Sequence, residues 1–398
     1  MIAIKQAVIL AGGMGTRLKP LTDKIPKPMV PINDKPFLQY LIELLRENEI
    51  FEIVLLTGHL HEKIEEYFGD GSKFGVGIKY SVGDDSFDTG TRLKNAEKIL
   101  DDYFLLMYCD NYWPLNLIRL MDFYNSQKVP ACLTVYKNSE AMTKNNMQVD
   151  DSGFVIKYDK SRKDNSTNCV DIGFYIIDKN ITRDFPGYNF SFEEIIIPKL
   201  IGSRQLAAYV TEHKYWSIGT FEKIRIAGEF LKPRKIIFLD RDGVINSRPS
   251  LGDYVKKWSE FQFLDGAIEA LKILMELDCE IYVISNQSGI ARGLMTEQDL
   301  KDIHDKMEGE LEIHGVKIGG IYYCPHGWEN TCECRKPKAG MFYRASREHN
   351  INLSKSVFIG DDERDMHAGN SIDCKTFMVT PQKNLLEIVK ELKASGLI

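Results

Sequence analysis

The 398 residues exceed what one domain commonly holds, and 43% hydrophobic with 27% charged side chains is the composition of soluble globular protein. A net charge of −6 with scattered Lys and Arg argues against a surface that grips nucleic acid, and no apolar run reaches the eighteen residues of a membrane span. Met1–Leu10 has no basic start or small-residue cleavage site, so it reads as a first strand and not as a signal peptide. Five cysteines (Cys109, Cys132, Cys169, Cys279, Cys374) lie in apolar surroundings and read as small core residues. Cys324, Cys332 and Cys334 cluster with His326. A reducing cytoplasm suits all eight thiols and is the expected compartment.

Apolar strands alternate with helical patterns throughout, which predicts α/β folding around largely parallel sheets. In chain order, Gln6–Leu10 is a buried strand and Phe37–Arg46 an amphipathic helix. Ile53–Thr57, Phe104–Tyr108 and Ala131–Tyr136 are further strands, and Met147–Tyr158, broken at Asp151-Ser152-Gly153, is a hairpin. After a helix over Phe221–Leu231, Lys232-Pro233-Arg234 makes a short linker. The pattern restarts with strands at Lys235–Leu239, Glu280–Ile284, Gly320–Tyr323, Ser356–Ile359 and Thr376–Val379. The expected domains are therefore 1–232 and 235–398, both doubly wound.

Directly after the first strand comes Leu10-Ala11-Gly12-Gly13-Met14-Gly15-Thr16-Arg17-Leu18. Glycines without a Cβ let main-chain N–H groups approach an anion, and Arg17 offers a forked donor to phosphate oxygens. Alone, this is also a plain turn between strand and helix. The continuation, Lys19-Pro20-Leu21-Thr22 and Pro26-Lys27-Pro28-Met29, makes Leu10–Met29 resemble the signature of the sugar-1-phosphate nucleotidyltransferases. Its spacing is neither a P-loop nor a dinucleotide fingerprint.

That resemblance implies a Rossmann-like domain in which a sugar 1-phosphate attacks the α-phosphorus of a nucleoside triphosphate. Gly12, Gly13, Gly15 and Thr16 would cradle the triphosphate, with Arg17 and Lys27 screening its charge. It also implies magnesium at Asp110, sugar-phosphate contact at Lys160, a sugar-binding turn at Gly90 in Thr89-Gly90-Thr91, and hydroxyl contacts from Glu193 or Glu194. One departure stands out. In Trp216-Ser217-Ile218-Gly219-Thr220 a serine occupies the place where family members carry a second metal-binding aspartate, and a hydroxyl is a poorer magnesium ligand. A domain that only binds nucleotide or sugar is the alternative reading of this half.

Phe238-Leu239-Asp240-Arg241-Asp242-Gly243-Val244 sets two aspartates beyond a buried strand and resembles the first motif of the haloacid-dehalogenase-like phosphatases. The resemblance implies Asp240 as nucleophile, Asp242 as acid and base, Ser285 with Asn286 and Lys336 as phosphate ligands, and magnesium at Asp240, Asp242 and Asp361. Cys324, His326, Cys332 and Cys334 form a sufficient tetrahedral set for structural zinc. The stretch between the first two motifs leaves no room for a large cap.

The zinc-loop stretch Cys324–Met341 resembles the heptose 1,7-bisphosphate phosphatases and, nearly as well, the histidinol-phosphate phosphatases; in the heptose branch Arg335 would recognise substrate. Only a sugar phosphate gives a nucleotidyltransferase partner something to use. The expected protein is thus a bifunctional enzyme of nucleotide-activated heptose synthesis, using magnesium in both domains, a triphosphate (GTP the favoured one) and sugar phosphates, with no nucleic acid and no membrane partner. Histidinol phosphate and other nucleobases remain open at this point.

Overall fold

The computed structural model describes residues 2–139, 141, 143–250 and 252–398. The chain divides into two compact units, Met1–Leu231 and Lys232–Ile398. Each has its own hydrophobic core.

The first unit is built on a seven-stranded sheet. Gln6–Leu10 lies inside it, flanked in parallel by Glu52–Thr57 and Tyr103–Tyr108, and Gly77–Val82 continues one side. All five residues of Gln6–Leu10 are buried, the pattern of a strand covered on both faces. On the other side Val170–Asp178 runs antiparallel to both Tyr103–Tyr108 and Ala131–Tyr136, and Leu206–Thr211 pairs in parallel with the latter at the edge. The sheet is therefore mixed where parallel strands dominate the expectation. The hairpin forms from Met147–Val149 and Val155–Tyr158. Helix Phe37–Glu47 presses Phe37, Leu38, Leu41 and Leu45 against one face, where helical periodicity places them on one stripe.

The second unit is a five-stranded, wholly parallel sheet. Its order runs Ile318–Cys324, Cys279–Asn286, Lys235–Leu239, Val357–Gly360, Lys375–Met378. The chain enters at the central strand Lys235–Leu239, builds outward on one side, then crosses to the other. Such a reversal opens a crevice at the C-terminal strand ends, where ligands of open α/β sheets bind. In the first unit the same logic applies to Gln6–Leu10 and Tyr103–Tyr108, whose C-terminal ends lie side by side, Leu10 opposite Tyr108. Among the described residues no helix is long and apolar enough to cross a membrane.

Candidate active sites

In the first unit the glycine loop and Lys27 meet Asp110 across a cleft of about 400 Å³, lined by Gly12, Gly13, Gly15, Thr16, Arg17, Lys27 and Asp110. Gly15 holds φ 62°, a left-handed conformation that glycine adopts without strain, and Thr22 Oγ1 fixes it by donating to its carbonyl at 2.9 Å. Lys27 Nζ forms an ion pair with Asp110 Oδ2. Sequence reasoning missed what lies under the loop. The buried Arg92 guanidinium donates to Thr57 O at 2.7 Å, Asp84 O at 2.8 Å and Phe87 O at 3.0 Å. Burial holds its pKa below the ordinary value, against the nearby Asp85, Asp84 and Asp88. A Cβ on Gly12 would stand 2.4 Å from Arg92 Nη1. Gly12→Ala is expected to displace loop or arginine at a cost of about 1–3 kcal/mol, read as a lower melting temperature together with weaker triphosphate binding.

A second cleft, about 650 Å³, shares Arg17 and Asp110 with the first and adds Lys160, Arg162, Glu193, Ser217 and Lys223. Glu193 is nearly buried and accepts from Thr89 Oγ1 at 2.6 Å, from Ser191 Oγ at 2.7 Å and from the Tyr108 hydroxyl. Burial raises its pKa. Lys160 Nζ reaches Glu194 Oε1 at 2.6 Å. Gly90 is a different matter. It packs under Phe190, where a Cβ would come within 2.2 Å of the ring, and its N–H donates to Phe190 O at 3.1 Å. At that turn Thr89 is the residue lining the cleft.

Asp110 ends the strand Tyr103–Tyr108 at the junction of the two clefts, where Asp88 also lines both and Asp171 the second, so a magnesium ion held by Asp110 would take one protein carboxylate. That fits an ion completed by triphosphate oxygens and water, the ordinary habit of Mg²⁺ at phosphate sites.

In the second unit, Asp240, Asp242, Ser285, Asn286, Arg335 and Lys336 line one cavity of about 260 Å³. Lys336 is 2% exposed; its ammonium donates to Ile284 O at 2.9 Å and stands 2.9 Å from Asp240 Oδ1 and 2.8 Å from Asp365 Oδ1. Asn286 clamps that loop, accepting from Lys336 N at 3.0 Å and donating to Lys336 O at 3.1 Å. Burial pushes Asp240 up to about 7, opposed by Lys336 and aided by Asp365. Burial likewise takes Asp361 to about 6, with Arg248 opposing. Asp361 Oδ1 is buried without a hydrogen-bond partner.

One oxygen each of Asp240, Asp361 and Asp365 falls within a sphere of ligand spacing, all within 4.8 Å of one another. These crowded, poorly solvated carboxylates fit a divalent cation. The carboxylate of Asp242, expected among the metal ligands, is not in that group: it accepts from Arg241 Nη2 and Asn246 Nδ2 at 2.9 Å and from Gln287 Nε2 at 2.8 Å. Despite burial, which would raise it, Arg241 and these donors hold Asp242 below its ordinary pKa. Arg241 is itself fully buried and meets His304 Nε2 at 3.1 Å; burial first, then Arg241, depresses His304 to about 3, so the imidazole stays neutral. Asp365 stands in the cluster beside Asp240 and Asp361. It sits in the first turn of helix Glu363–Ser371, where its carboxylate accepts from Asp361 N at 3.1 Å.

Cys324, His326, Cys332 and Cys334 converge with all donor atoms within 4.8 Å of one another. Cys324 Sγ lies 3.2 Å from Cys334 Sγ and 3.8 Å from Cys332 Sγ, and His326 Nδ1 is 3.2 Å from Cys334 Sγ. These separations are too long for disulfides and fit a closed N/S site for zinc. Arg335 follows the last cysteine directly; it donates to His326 O at 3.2 Å and its guanidinium stacks 4.2 Å from the Trp328 ring. Metal analysis of the purified protein is expected to find about one zinc per chain, lost in Cys332→Ser together with cooperative melting of the second unit. A fully folded chain carrying none would contradict a structural role.

Two separate phosphate-handling centres at strand tips define this chain as a nucleotidyltransferase joined to a phosphatase. It belongs to the nucleotidyl transferase family, which matches residues 6–233, and the polynucleotide kinase 3 phosphatase family matches residues 235–377. Over 161 residues it is 41% identical to the D-glycero-beta-D-manno-heptose-1,7-bisphosphate 7-phosphatase of Pasteurella multocida, covering 39% of this chain and 86% of that protein. It is 39% identical over 170 residues to the D-glycero-alpha-D-manno-heptose-1,7-bisphosphate 7-phosphatase of Campylobacter jejuni, 40% of this chain and 96% of that protein. The D-glycero-alpha-D-manno-heptose 1-phosphate guanylyltransferase of the same organism is 34% identical over 192 residues, 48% of this chain and 84% of that protein. Among solved structures, HddC from Yersinia pseudotuberculosis complexed with GMP-PN is 28% identical, with a TM-score of 0.51, and spans 57% of this chain and 100% of its own. The chain is an enzyme with both activities.

Proposed function

We propose that this enzyme removes the 7-phosphate of D-glycero-α-D-manno-heptose 1,7-bisphosphate and couples the remaining 1-phosphate to GMP from GTP, releasing pyrophosphate. The observation that carries the reading is the pairing of the halves: one resembles enzymes named for making a heptose 1-phosphate, the other an enzyme named for consuming it. The two Campylobacter jejuni relatives share the α configuration, which favours that anomer. All eight cysteines are unpaired, which favours the cytoplasm.

In the phosphatase half, Asp240 is the nucleophile. Its carboxylate attacks phosphorus, the bond to the sugar oxygen breaks, and an aspartyl phosphate forms. Lys336, braced by Asn286, and Ser285 hold the phosphoryl oxygens. Asp242, held ionised at rest by Arg241, takes up the proton of the monoanionic substrate phosphate as the complex forms and passes it to the leaving sugar oxygen in the first step; the carboxylate so regenerated takes the proton of the attacking water in the second. Magnesium held by Asp240 and Asp361 would neutralise these carboxylates against the anionic substrate.

In the transferase half the nucleophile is already an anion, so positioning and charge screening carry the catalysis. Gly12, Gly13 and Gly15 admit the triphosphate close to the main chain, and Arg17 and Lys27 stand at its phosphates. The sugar occupies the second cleft, with Glu193 and Lys160 within reach. Asp110 would hold magnesium for the triphosphate.

Kinetics with a panel of five nucleoside triphosphates, and with histidinol phosphate beside the heptose bisphosphate, test the reading. GTP and the bisphosphate are expected to give the highest kcat/KM by at least about tenfold, the discrimination that one lost polar contact costs. Preference for histidinol phosphate, or for another base, would replace the substrate assignment.

A further inference from the structure

Ser217 leaves the transferase centre short of one carboxylate, and the residues around it show what fills the gap. The short strand Trp216–Ser217 pairs antiparallel with Asn111–Tyr112, Ser217 opposite Asn111, and Ile218 N donates to Asp110 O at 3.0 Å. Position 217 is therefore tied directly beside Asp110. A hydroxyl there brings no charge, so Asp110 is the only carboxylate of this pair.

Six residues further on, Lys223 sits in the first turn of helix Phe221–Leu231, its N–H donating to Thr220 Oγ1 at 3.3 Å. Helical side chains lean toward the helix start, and Lys223 lines the same cleft as Ser217, Arg17 and Asp110. Lys144 also lines this cleft, and so do the carboxylates of Asp88, Asp171 and Glu193, but Lys223 is the cation on the helix that directly follows Ser217. Lys27 is paired with Asp110, Lys160 with Glu194, and Arg162 donates to Lys144 O at 2.7 Å. Among the described residues, Arg17 and Lys223 make no ion pair. Burial, then Arg162 and Arg17, lower the pKa of Lys223, while Asp110 opposes them, so the ammonium sits in a net positive field that an incoming anion would relieve. Arg17 and Asp110 border both clefts, which marks the place where the two substrates meet.

We propose that Lys223 binds the phosphate of the incoming sugar 1-phosphate, with Arg17 standing between it and the triphosphate, and presents its oxygen to the nucleotide. This rests on the transferase reading above and adds a residue to it. In the step, a sugar-phosphate oxygen forms the new bond to the α-phosphorus while the bond from that phosphorus to the bridging oxygen breaks; pyrophosphate leaves with the electron pair, and no proton needs to move. Lys223 lowers the repulsion between the two anions before that step.

The test is equilibrium binding of D-glycero-D-manno-heptose 1-phosphate and of mannose 1-phosphate by calorimetry, in chelator, to the full-length wild type, Lys223→Met and Lys223→Arg. Methionine keeps the stem without the charge, and Lys223 is exposed although its ammonium leans into the cleft, so the melting temperature is expected to be unchanged. Lys223→Met should bind the sugar phosphate roughly ten- to a hundredfold more weakly, as for loss of one charge-assisted hydrogen bond. Lys223→Arg should stay within a few-fold of wild type. In steady state, KM for the sugar phosphate should rise more than KM for GTP. Equal affinities for wild type and Lys223→Met would overturn the assignment and leave the transferase reading standing. Wild-type protein that bound neither sugar phosphate would overturn both.

Discussion

Replacing Asp240 by asparagine is expected to cut phosphate release by roughly 10⁴- to 10⁶-fold, the scale of losing a nucleophile, while nucleotidyl transfer continues at its original rate. The amide keeps the volume but cannot form the phosphoryl ester. Its packing consequences are mild, and the sign follows from proton linkage. Asp240's folded pKa, about 7, lies above its ordinary value. Between the two values the folded chain holds the extra proton, so stability declines as pH rises through this window. Above it, the ionised carboxylate is a buried cost that asparagine removes, offset by the loss of its ion pair with Lys336, which keeps Asp365 as partner. The melting temperature of the variant in chelator should therefore stay close to that of the parent. A variant that lost phosphate release by unfolding would melt lower, and one that lost nucleotidyl transfer as well would contradict separate centres.

Lys27→Ala should do the reverse, lowering nucleotidyl transfer by about 10²- to 10³-fold, the scale reported for one preorganised electrostatic contact, with phosphate release unchanged. Two effects add. The cation that faces the triphosphate is lost, and Asp110, whose side chain is 24% exposed, is left unpaired beside the incoming phosphates. The matching control is Lys27→Arg, which keeps the charge but not the reach and should recover part of the rate. An alanine variant with full transfer activity would remove Lys27 from the site.

Much of this was legible in the sequence because the chemistry is carried by short, contiguous segments at strand ends. The glycine loop, Lys27, the Asp240–Asp242 pair and Lys336 each sit beside a buried apolar strand, so strand and motif point to the same place. What stayed hidden is set by contacts between distant segments. Nothing near Arg92 announces that its guanidinium will lie beneath Gly12 and hold carbonyls of the segments at 57 and 84–87. Gly90 looked like a ligand turn, yet its missing Cβ makes room for the Phe190 ring. The metal role of Asp242 came with the motif resemblance, and the sequence did not show that its carboxylate turns toward Arg241 while that of Asp365 joins those of Asp240 and Asp361. The strand Val170–Asp178 was not among those expected from the sequence, and its antiparallel insertion into the first sheet is decided by its partners.

The most direct measurement is a single incubation of the whole protein with D-glycero-α-D-manno-heptose 1,7-bisphosphate, magnesium and GTP, followed by mass analysis. GDP-heptose should accumulate with orthophosphate and pyrophosphate in equal amounts. Orthophosphate release without any nucleotide-linked heptose, under conditions where GTP stays intact, would contradict the account.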